Sequence, residues 1–486
     1  MSNLTSVFEK WEPVIGLEVH AQLSTNSKMF CGCKNMYGSK PNSNICPTCL
    51  GLPGALPVAN AEAIKYALKL GIALGSNITK FSRFARKNYF YPDLTKGYQI
   101  SQYDEPICQG GKVTIRKNGF VKNIELTRIH LEEDAGKSIH AKSGNGTQVD
   151  FNRCGVPLVE IVTEPVIQNP YEARVYLVRL KQILEYLDIC DCNLEEGKFR
   201  CDANVSIRPK GESQLGTKTE MKNMNSFRGV ERGLSNEIIR QAKILENGDQ
   251  VEQVTLLWNE TTQRAEIMRT KEDAHDYRYF PDPDLVPLLV SDGDLIEAKA
   301  SISELPFEKE ERFVKEYDLR LEDALILTSD YELSNYYEKS VRAGASPDHA
   351  AKWILGEVLG IINDENITID TFGVTPDRFA GLLISIKMGK INNHTGKEVL
   401  RKMLLNALTA DEIIQQEGLI QVSDKTSLGK IVLTILKENP GELQRYRSGK
   451  KTLFGFFMGE VMKVTKGKSD PKILKDVLIS ALEASK

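Results

Sequence analysis

The chain has 486 residues, of which 41% are hydrophobic and 27% charged, with a formal net charge of −3. That length exceeds one typical domain, and the near-neutral balance excludes a chain-wide basic field for nucleic acid, so any polyanion needs a local patch. No segment has the length and apolarity of a membrane span, and MSNLTSVFEKWEP lacks the basic flank and apolar stretch of a signal peptide. A cytoplasmic chain with no membrane contact is therefore expected, its nine cysteines serving as reduced thiols or metal ligands rather than disulfides.

The first element is GLEVHAQL, residues 16–23, which alternates as a strand does. Leu17, Val19, Ala21 and Leu23 share one face and read as core, while Glu18, His20 and Gln22 share the other. A solvated face explains a single strand of this kind, so the rest of the chain decides the matter. Next comes FCGCKNMYGSKPNSNICPTCLGLPG, with Cys31, Cys33, Cys46 and Cys49 as two close pairs. Four thiolates on one short loop match a closed, structural Zn²⁺ site. The single residue between Cys31 and Cys33 is less usual, and four reduced cysteines packing a loop is the alternative.

SRFARKNYFYPDLTKGYQISQYD interleaves Arg83, Arg86, Lys87 and Lys96 with aromatic residues, a loop suited to pairing phosphate and stacking a base, or simply to packing on the body. IHLEEDAGKSIH then brings Glu132, Glu133 and Asp134 together before a turn. Its Gly136-Lys137-Ser138 is not a P-loop, because Leu131 stands where the first glycine belongs. A helix is predicted from Asn169-Pro170-Tyr171-Glu172, with Asn169 as cap, Pro170 at the first position and Glu172 closing a capping box.

KFRCDANVSIRP repeats the opening pattern, with Arg200, Asp202, Asn204, Ser206 and Arg208 on the polar side. Asp and Asn are poor strand formers, so their use in mid-strand wants a reason. TKTEMKNMNSF adds Lys218, Glu220 and Lys222 on one side, and a second helix follows, capped by Ser226 and stopped at Gly248. If these strands share a sheet, their polar sides converge as carboxylates, a histidine and cations. Carboxylates suit Mg²⁺ and lysine or arginine suit the phosphates of a nucleotide. Cys190 and Cys192 read as structural, Cys108, Cys154 and Cys201 as core thiols, and His130, His140, His275, His349 and His394 as surface or packing residues.

Beyond YFPDPDLVPLLV the pattern turns to nearly continuous helix, with starts at Thr375-Pro376, Thr395, Thr409 with Glu412, and Asp470-Pro471. The expected fold is α+β: an antiparallel-sheet body over 1–293, an all-α domain over 294–407 and an all-α tail over 408–486. From Pro440 to Lys486 there are ten Lys or Arg against five Asp or Glu. Arg445, Arg447, Lys450, Lys451, Lys463, Lys466 and Lys468 fall in that stretch, the local excess a phosphate backbone would require. A solvated face on a helix bundle is the alternative.

These residues resemble one family, GatB, the B subunits of the glutamyl/aspartyl-tRNA amidotransferases. The matching blocks are IGLEVHAQL, NYFYPDLTKGYQISQYD, IHLEEDAGKS, NRCGVPLVEIV, RCDANVSIRP, EMKNMNSF, YRYFPDPDL and GKKTLFGFFMGEVMKVTKGKSDP, which together reach over almost the whole chain. One departure is Thr95, where the family usually has proline, and there is no room for the inserted domain of the archaeal relative. The resemblance implies a cradle-shaped antiparallel body, a helical domain and a tail that grips tRNA. It implies a heterotrimer with an amidase partner (the A subunit), which frees ammonia from glutamine, and a small bracing partner (the C subunit). The B subunit would use ATP to phosphorylate the side-chain carboxylate of Glu-tRNA(Gln) or Asp-tRNA(Asn), and ammonia would then displace phosphate. By block match the Mg²⁺ and catalytic positions fall on Glu18, His20 and Glu133, completed by Asp202 and Glu220, and the Zn²⁺ positions on Cys31, Cys33, Cys46 and Cys49. A neutral His20 is expected to offer a ring nitrogen, Lys87, Arg200 and Lys222 to contact phosphate, and Glu133 or Asp134 to take the proton of ammonium. The rivals are a non-catalytic, zinc-stabilised tRNA-binding protein, which leaves mid-strand Asp202 and Asn204 unexplained, and a self-contained amidase, which lacks its Gly/Ser-rich signature.

Overall fold

The computed structural model describes residues 2–117, 119–140, 146–270, 277–419, 425–465, 469 and 471–484. The chain forms two compact units, Met1–Phe307 and Glu308–Lys486.

The first unit is built on a ten-stranded sheet. Its site-bearing strands, in chain order, are β1 (Trp11–Gln22), β2 (Phe120–Glu133), β3 (Pro157–Thr163), β4 (Phe199–Pro209), β5 (Thr219–Lys222) and β6 (Val254–Asn259). They lie side by side in the order β6-β5-β4-β1-β3-β2. Every pairing among them is antiparallel except β5 with β6, which is parallel. The central place of β1 follows from its composition: Leu17, Val19 and Ala21 are wholly buried on one face. Each large apolar side chain sealed this way contributes about 1.5–3 kcal/mol.

That face is covered by two helices, α1 (Pro170–Tyr186) and α2 (Phe227–Glu246), whose Tyr176, Leu177, Leu180, Leu234 and Ile238 sit in the same core. Asn169 caps α1 by accepting from Glu172 N. Glu172 does not complete a capping box; its carboxylate takes the Gln168 N–H and pairs with Lys117 and Lys122 instead. Ser226 caps α2 and Gly248, at φ +87°, takes the left-handed turn that follows it. With one face committed to the core, the alternation of β1 and β4 leaves their polar side chains together on the other.

The helix Asp292–Ala300 belongs to the first unit, since Ala298 is buried in its core, so that unit runs past the expected boundary at 293. The second unit is helical and holds two apolar clusters, one from Phe313 to Ile414 and one from Val432 to Leu482. Ala410, Ile413 and Ile414 pack in the former, so the change of core lies beyond 408. Thr375 caps Pro376–Lys387, and Thr409 with Glu412 forms a full capping box. The helix expected at Thr395 starts earlier, because Asn392 supplies the cap. The last helix is Pro471–Ala484; Asp470, Lys466, Lys468 and His275 lie outside the described residues.

Candidate active site

Strand register assembles the polar face. His20 on β1 lies opposite Glu160 on β3, which lies opposite His130 on β2. One step along, Glu132 follows His130 on the same side of β2. His20 Nε2 stands 3.3 Å from Glu132 Oε1 and 3.3 Å from Glu160 Oε2, and His130 Nε2 stands 3.2 Å from the same Glu160 oxygen. Glu132 and Glu160 are 2% and 7% exposed, so these charges are shielded from water.

Burial and charge oppose each other here. Burial disfavours a charged imidazole, but the Glu160 and Glu132 carboxylates outweigh it and push His20 up to about 9. Burial likewise works against a charged Glu160, yet His130 and His20 hold its carboxyl well below the usual range. His20 therefore carries a proton at neutral pH in these surroundings rather than being neutral, and a cation taking its Nε2 must displace that proton.

The neighbouring row runs through Glu18, opposite Asp202 on β4. Burial, then Glu160 and Asp202, raise the Glu18 carboxyl, while Asn204 Nδ2 donates to Glu18 Oε1 at 2.9 Å. Lys222 Nζ bridges Asp202 at 2.7 Å and Glu220 at 3.0 Å, and Thr255 Oγ1 donates to Glu220 at 2.8 Å. Mid-strand Asp202 and Asn204 thus have their reason. Arg200 is committed to Asp134, at 3.0 Å, where Gln22 Nε2 also donates at 3.1 Å and Arg153 approaches to 3.6 Å. Burial opposes charge on Asp134, but those guanidiniums hold its carboxyl below the ordinary value.

Lys87 stands near this group from a separate small sheet, its Nζ 4.8 Å from the Tyr277 ring centroid. Burial lowers its pKa, but Glu132 first among nearby anions raises it well above the ordinary value. Arg83 and Arg86, by contrast, pair with Glu105, Asp282 and Asp284. Tyr103 stacks on Tyr279 at 4.1 Å and Arg86 lies 4.1 Å from the Tyr98 ring, so much of this loop packs on itself.

Glu133 is not beside His20. It is the residue after Glu132 and, by strand alternation, turns the other way. Its carboxylate pairs with Lys96 and accepts from Ile100 N at 3.0 Å, and Gln99 Nε2 donates to its carbonyl at 2.7 Å. The ligand group that the geometry forms with His20 is Glu132 and Glu160, whose donor atoms and His20's lie within 4.8 Å of one another. The two 3.3 Å distances from His20 Nε2 are close to the roughly 3.0 Å between adjacent ligands of an octahedral ion with bonds of about 2.1 Å, so the donor set fits a hard divalent cation.

Glu132, Glu160 and His130 were not singled out by the sequence as ligands. Glu160 sits in PLVEIVT, an otherwise apolar strand, and one charge in such a run is the signal that was available. His130-Leu131-Glu132 places an imidazole and a carboxylate two residues apart, as Glu18-Val19-His20 does, in a strand of the same sheet. Arg128, also on this face of β2, has a buried Nε without a hydrogen-bond partner among the described residues.

Cys31, Cys33, Cys46 and Cys49 do converge, with all four sulfurs within 4.8 Å of one another. Tetrahedral Zn²⁺ with bonds of about 2.3 Å places sulfurs roughly 3.8 Å apart, inside that limit, so the loop can close on the ion with a small contraction. The Cys31 thiol donates to Cys49 and, against burial, helps lower it to about 5; the Cys46 amide and Lys28 act the same way. Cys46 N donates to Cys49 Sγ at 3.0 Å and the buried Lys28 Nζ lies 3.8 Å away. Cys108, Cys154, Cys190, Cys192 and Cys201 are buried. In the second unit Arg445, Arg447, Lys450, Lys451 and Lys463 are exposed, with Lys451 Nζ 4.2 Å from the Tyr446 ring.

A mainly antiparallel sheet that gathers two shielded carboxylates and an imidazole into a group able to hold a cation, with a loop of four converging cysteines, defines an α+β domain with a candidate metal-assisted site; here it is joined to a helical unit. Sequence comparison carries this to a family. Residues 13–296 match the GatB/GatE catalytic domain and residues 335–482 the GatB domain. A relative from Thermodesulfovibrio yellowstonii, the B subunit of an aspartyl/glutamyl-tRNA(Asn/Gln) amidotransferase, is 50% identical over 474 residues, covering 98% of this chain and all of the relative. Proteins of the same name from Chlorobaculum tepidum and Chlorobium phaeobacteroides are 48% and 50% identical, over 98% and 97% of this chain and 100% and 99% of their own. The chain belongs to the GatB family, the B subunits of the aspartyl/glutamyl-tRNA(Asn/Gln) amidotransferases.

Proposed function

We propose that this chain is the carboxylate-activating component of a tRNA-dependent amidotransferase, acting on Glu-tRNA(Gln) and Asp-tRNA(Asn). The observation that carries this reading is the His20, Glu132 and Glu160 group, gathered within 4.8 Å on the polar face of the sheet. Bound there, Mg²⁺ would supply charge neutralisation for a transferring phosphoryl group.

The rest falls to the chain's own residues. A carboxylate is already a nucleophile at neutral pH, so it needs positioning more than a base. Its oxygen attacks the γ-phosphorus of ATP and ADP leaves. Lys87 faces the anionic cluster and suits an approaching phosphate, as does Arg128. Lys222 holds Asp202 and Glu220 in place, and Glu18 with Asn204 extends the polar floor. Arg200 is the weaker phosphate candidate, because Asp134 already occupies its guanidinium. Ammonia nitrogen then attacks the acyl carbon and phosphate departs. Ammonium must first lose a proton, and of the two acids considered Glu133 suits this better. The Asp134 carboxylate is taken up by two guanidiniums and the Gln22 amide, whereas the Glu133 carboxylate faces a single cation, Lys96.

The amide source is an amidase partner, the A subunit, braced by a small C subunit, and the exposed cations of the tail hold the acceptor tRNA. Zn²⁺ on the four cysteines is structural, and the assembly works in the cytosol, where the remaining thiols stay reduced. A module that only presented tRNA would have no use for charges held out of water at His20, Glu132 and Glu160.

The test is ADP release by the assembled enzyme with ammonium chloride in place of glutamine. Glu160→Gln and His20→Ala are expected to lose about 10²-fold or more in kcat while glutamine hydrolysis by the partner persists. Parental turnover in both folded variants would hand the chain to the non-catalytic reading.

A further inference from the structure

The loop of four cysteines does more than close on itself. Three contacts run from it to the segment 93–98. Thr95 Oγ1 donates to the Cys49 carbonyl at 2.8 Å. Gly51, at φ +66°, lies flat on the Lys96 stem: a Cβ there would meet Lys96 Cγ at 2.5 Å and Lys96 Cα at 3.2 Å. Phe30, which precedes the first ligand, presents its ring 5.9 Å from Lys96 Nζ. Lys96 in turn pairs with the Glu133 carboxylate, and both side chains are largely buried, 12% and 5% exposed.

We propose that Thr95 ties the four-cysteine loop to the segment bearing Lys96, so that a closed loop positions the Lys96 ammonium on Glu133. The physical reason is rotamer freedom. A lysine side chain has four rotatable bonds and gives up as much as about 2 kcal/mol of entropy when held in one geometry, and a pair that wanders loses its defined charge. Here the stem is pressed between Gly51 and its own turn, and the turn is anchored to the loop by one hydroxyl. Glycine is required at 51 for two reasons that coincide: its positive φ and the absence of a side chain against Lys96. Thr95 is thus a positioning residue, acting through Lys96 rather than on substrate. It also gives the cysteine loop a part in ammonia handling, on the face of β2 opposite the His20 cluster.

The inference rests on the assignment of Glu133 to ammonia above, and the experiment separates the two. In the assembled enzyme, Thr95→Val removes the donor at nearly constant shape and Thr95→Ser restores it. Thr95→Val is expected to raise the KM for ammonium about fivefold with the KM for ATP and the zinc content unchanged, and Thr95→Ser to return it. Hydrogen exchange in the peptide 93–101, which contains the Ile100 amide bound to Glu133, should quicken in Thr95→Val with zinc retained, and in the parent only after chelation. Lys96→Met is the reference. If Lys96→Met raises the KM for ammonium but Thr95→Val changes neither KM nor exchange, the tie is refuted and the role of Glu133 stands. If Lys96→Met itself leaves the KM unchanged, the ammonia assignment falls and the tie loses its function with it.

Discussion

Replacing Glu160 by glutamine isolates the electrostatics of the pocket. The Glu160 carboxylate faces two imidazoles at 3.3 and 3.2 Å, and its attraction, above that of Glu132, lifts His20 against burial from 6.5 to about 9. At 1.36 kcal/mol per pKa unit, that rise corresponds to about 3 kcal/mol of preference for the imidazolium in the folded protein. The sign follows from linkage. A group whose pKa rises on folding stabilises the native state fully below its unfolded value, near 6.5, and the contribution is lost as pH climbs through about 9. In Glu160→Gln only Glu132 remains close to His20, so its titration should fall back toward that of an ordinary histidine, and stability should no longer decline between pH 6.5 and 9. The assay is imidazole NMR in the presence of a chelator, with His20→Gln to assign the resonance, alongside urea unfolding across the same pH range. A parental His20 titrating near 6.5, or a Glu160→Gln protein still titrating near 9, would refute the reasoning.

Asp134→Asn should take from the partly exposed Arg200 its hydrogen-bonded carboxylate, and because water reaches that guanidinium the cost should stay below the roughly 3–5 kcal/mol of a fully buried pair. Because the Asp134 pKa is depressed on folding, that contribution is present above the ordinary carboxylate value and lost as pH falls through the lower one, so parent and variant should converge in acid unfolding. Removing metal should expose four thiols per chain to a disulfide reagent, at Cys31, Cys33, Cys46 and Cys49, while the five buried cysteines react only on unfolding. Reaction of fewer than four, or of all nine together, would count against a separate metal loop. Charge reversal at both Lys450 and Lys451 should weaken tRNA binding and lower the slope of log K against log salt by about 2; equal slopes would remove them from the tRNA surface.

Much of the fold was legible because its signals are local. Alternation in β1 and β4 depends on neighbours two residues apart, and the caps at Asn169, Ser226, Thr375 and Thr409 on neighbours three apart. The cysteine pairs are close in sequence, and their convergence needs only one loop to fold back. Glu18, His20, Asp202 and Glu220 were found because their strands display a polar face whatever their partners. Glu160 was not, since PLVEIVT is an interior strand whose residues are nearly all buried on both sides and its single acid has no local pattern. The choice between Glu132 and Glu133 turns on a strand register that joins residues far apart along the chain, such as His20 with Glu160, which no local rule encodes. The parallel pairing of β5 with β6 was invisible for the same reason.

The sequence by itself determined the elements, their caps, the chemistry on each strand's polar side, the four-cysteine loop and the basic tail, since each arises from interactions within a few residues. Tertiary structure alone decided which acids stand together. Antiparallel register brought Glu160 between His20 and His130, and alternation sent Glu133 away to Lys96. A one-residue difference in a strand reverses the face a side chain takes. Only the packed sheet fixes which face meets the imidazole and which meets the cysteine loop.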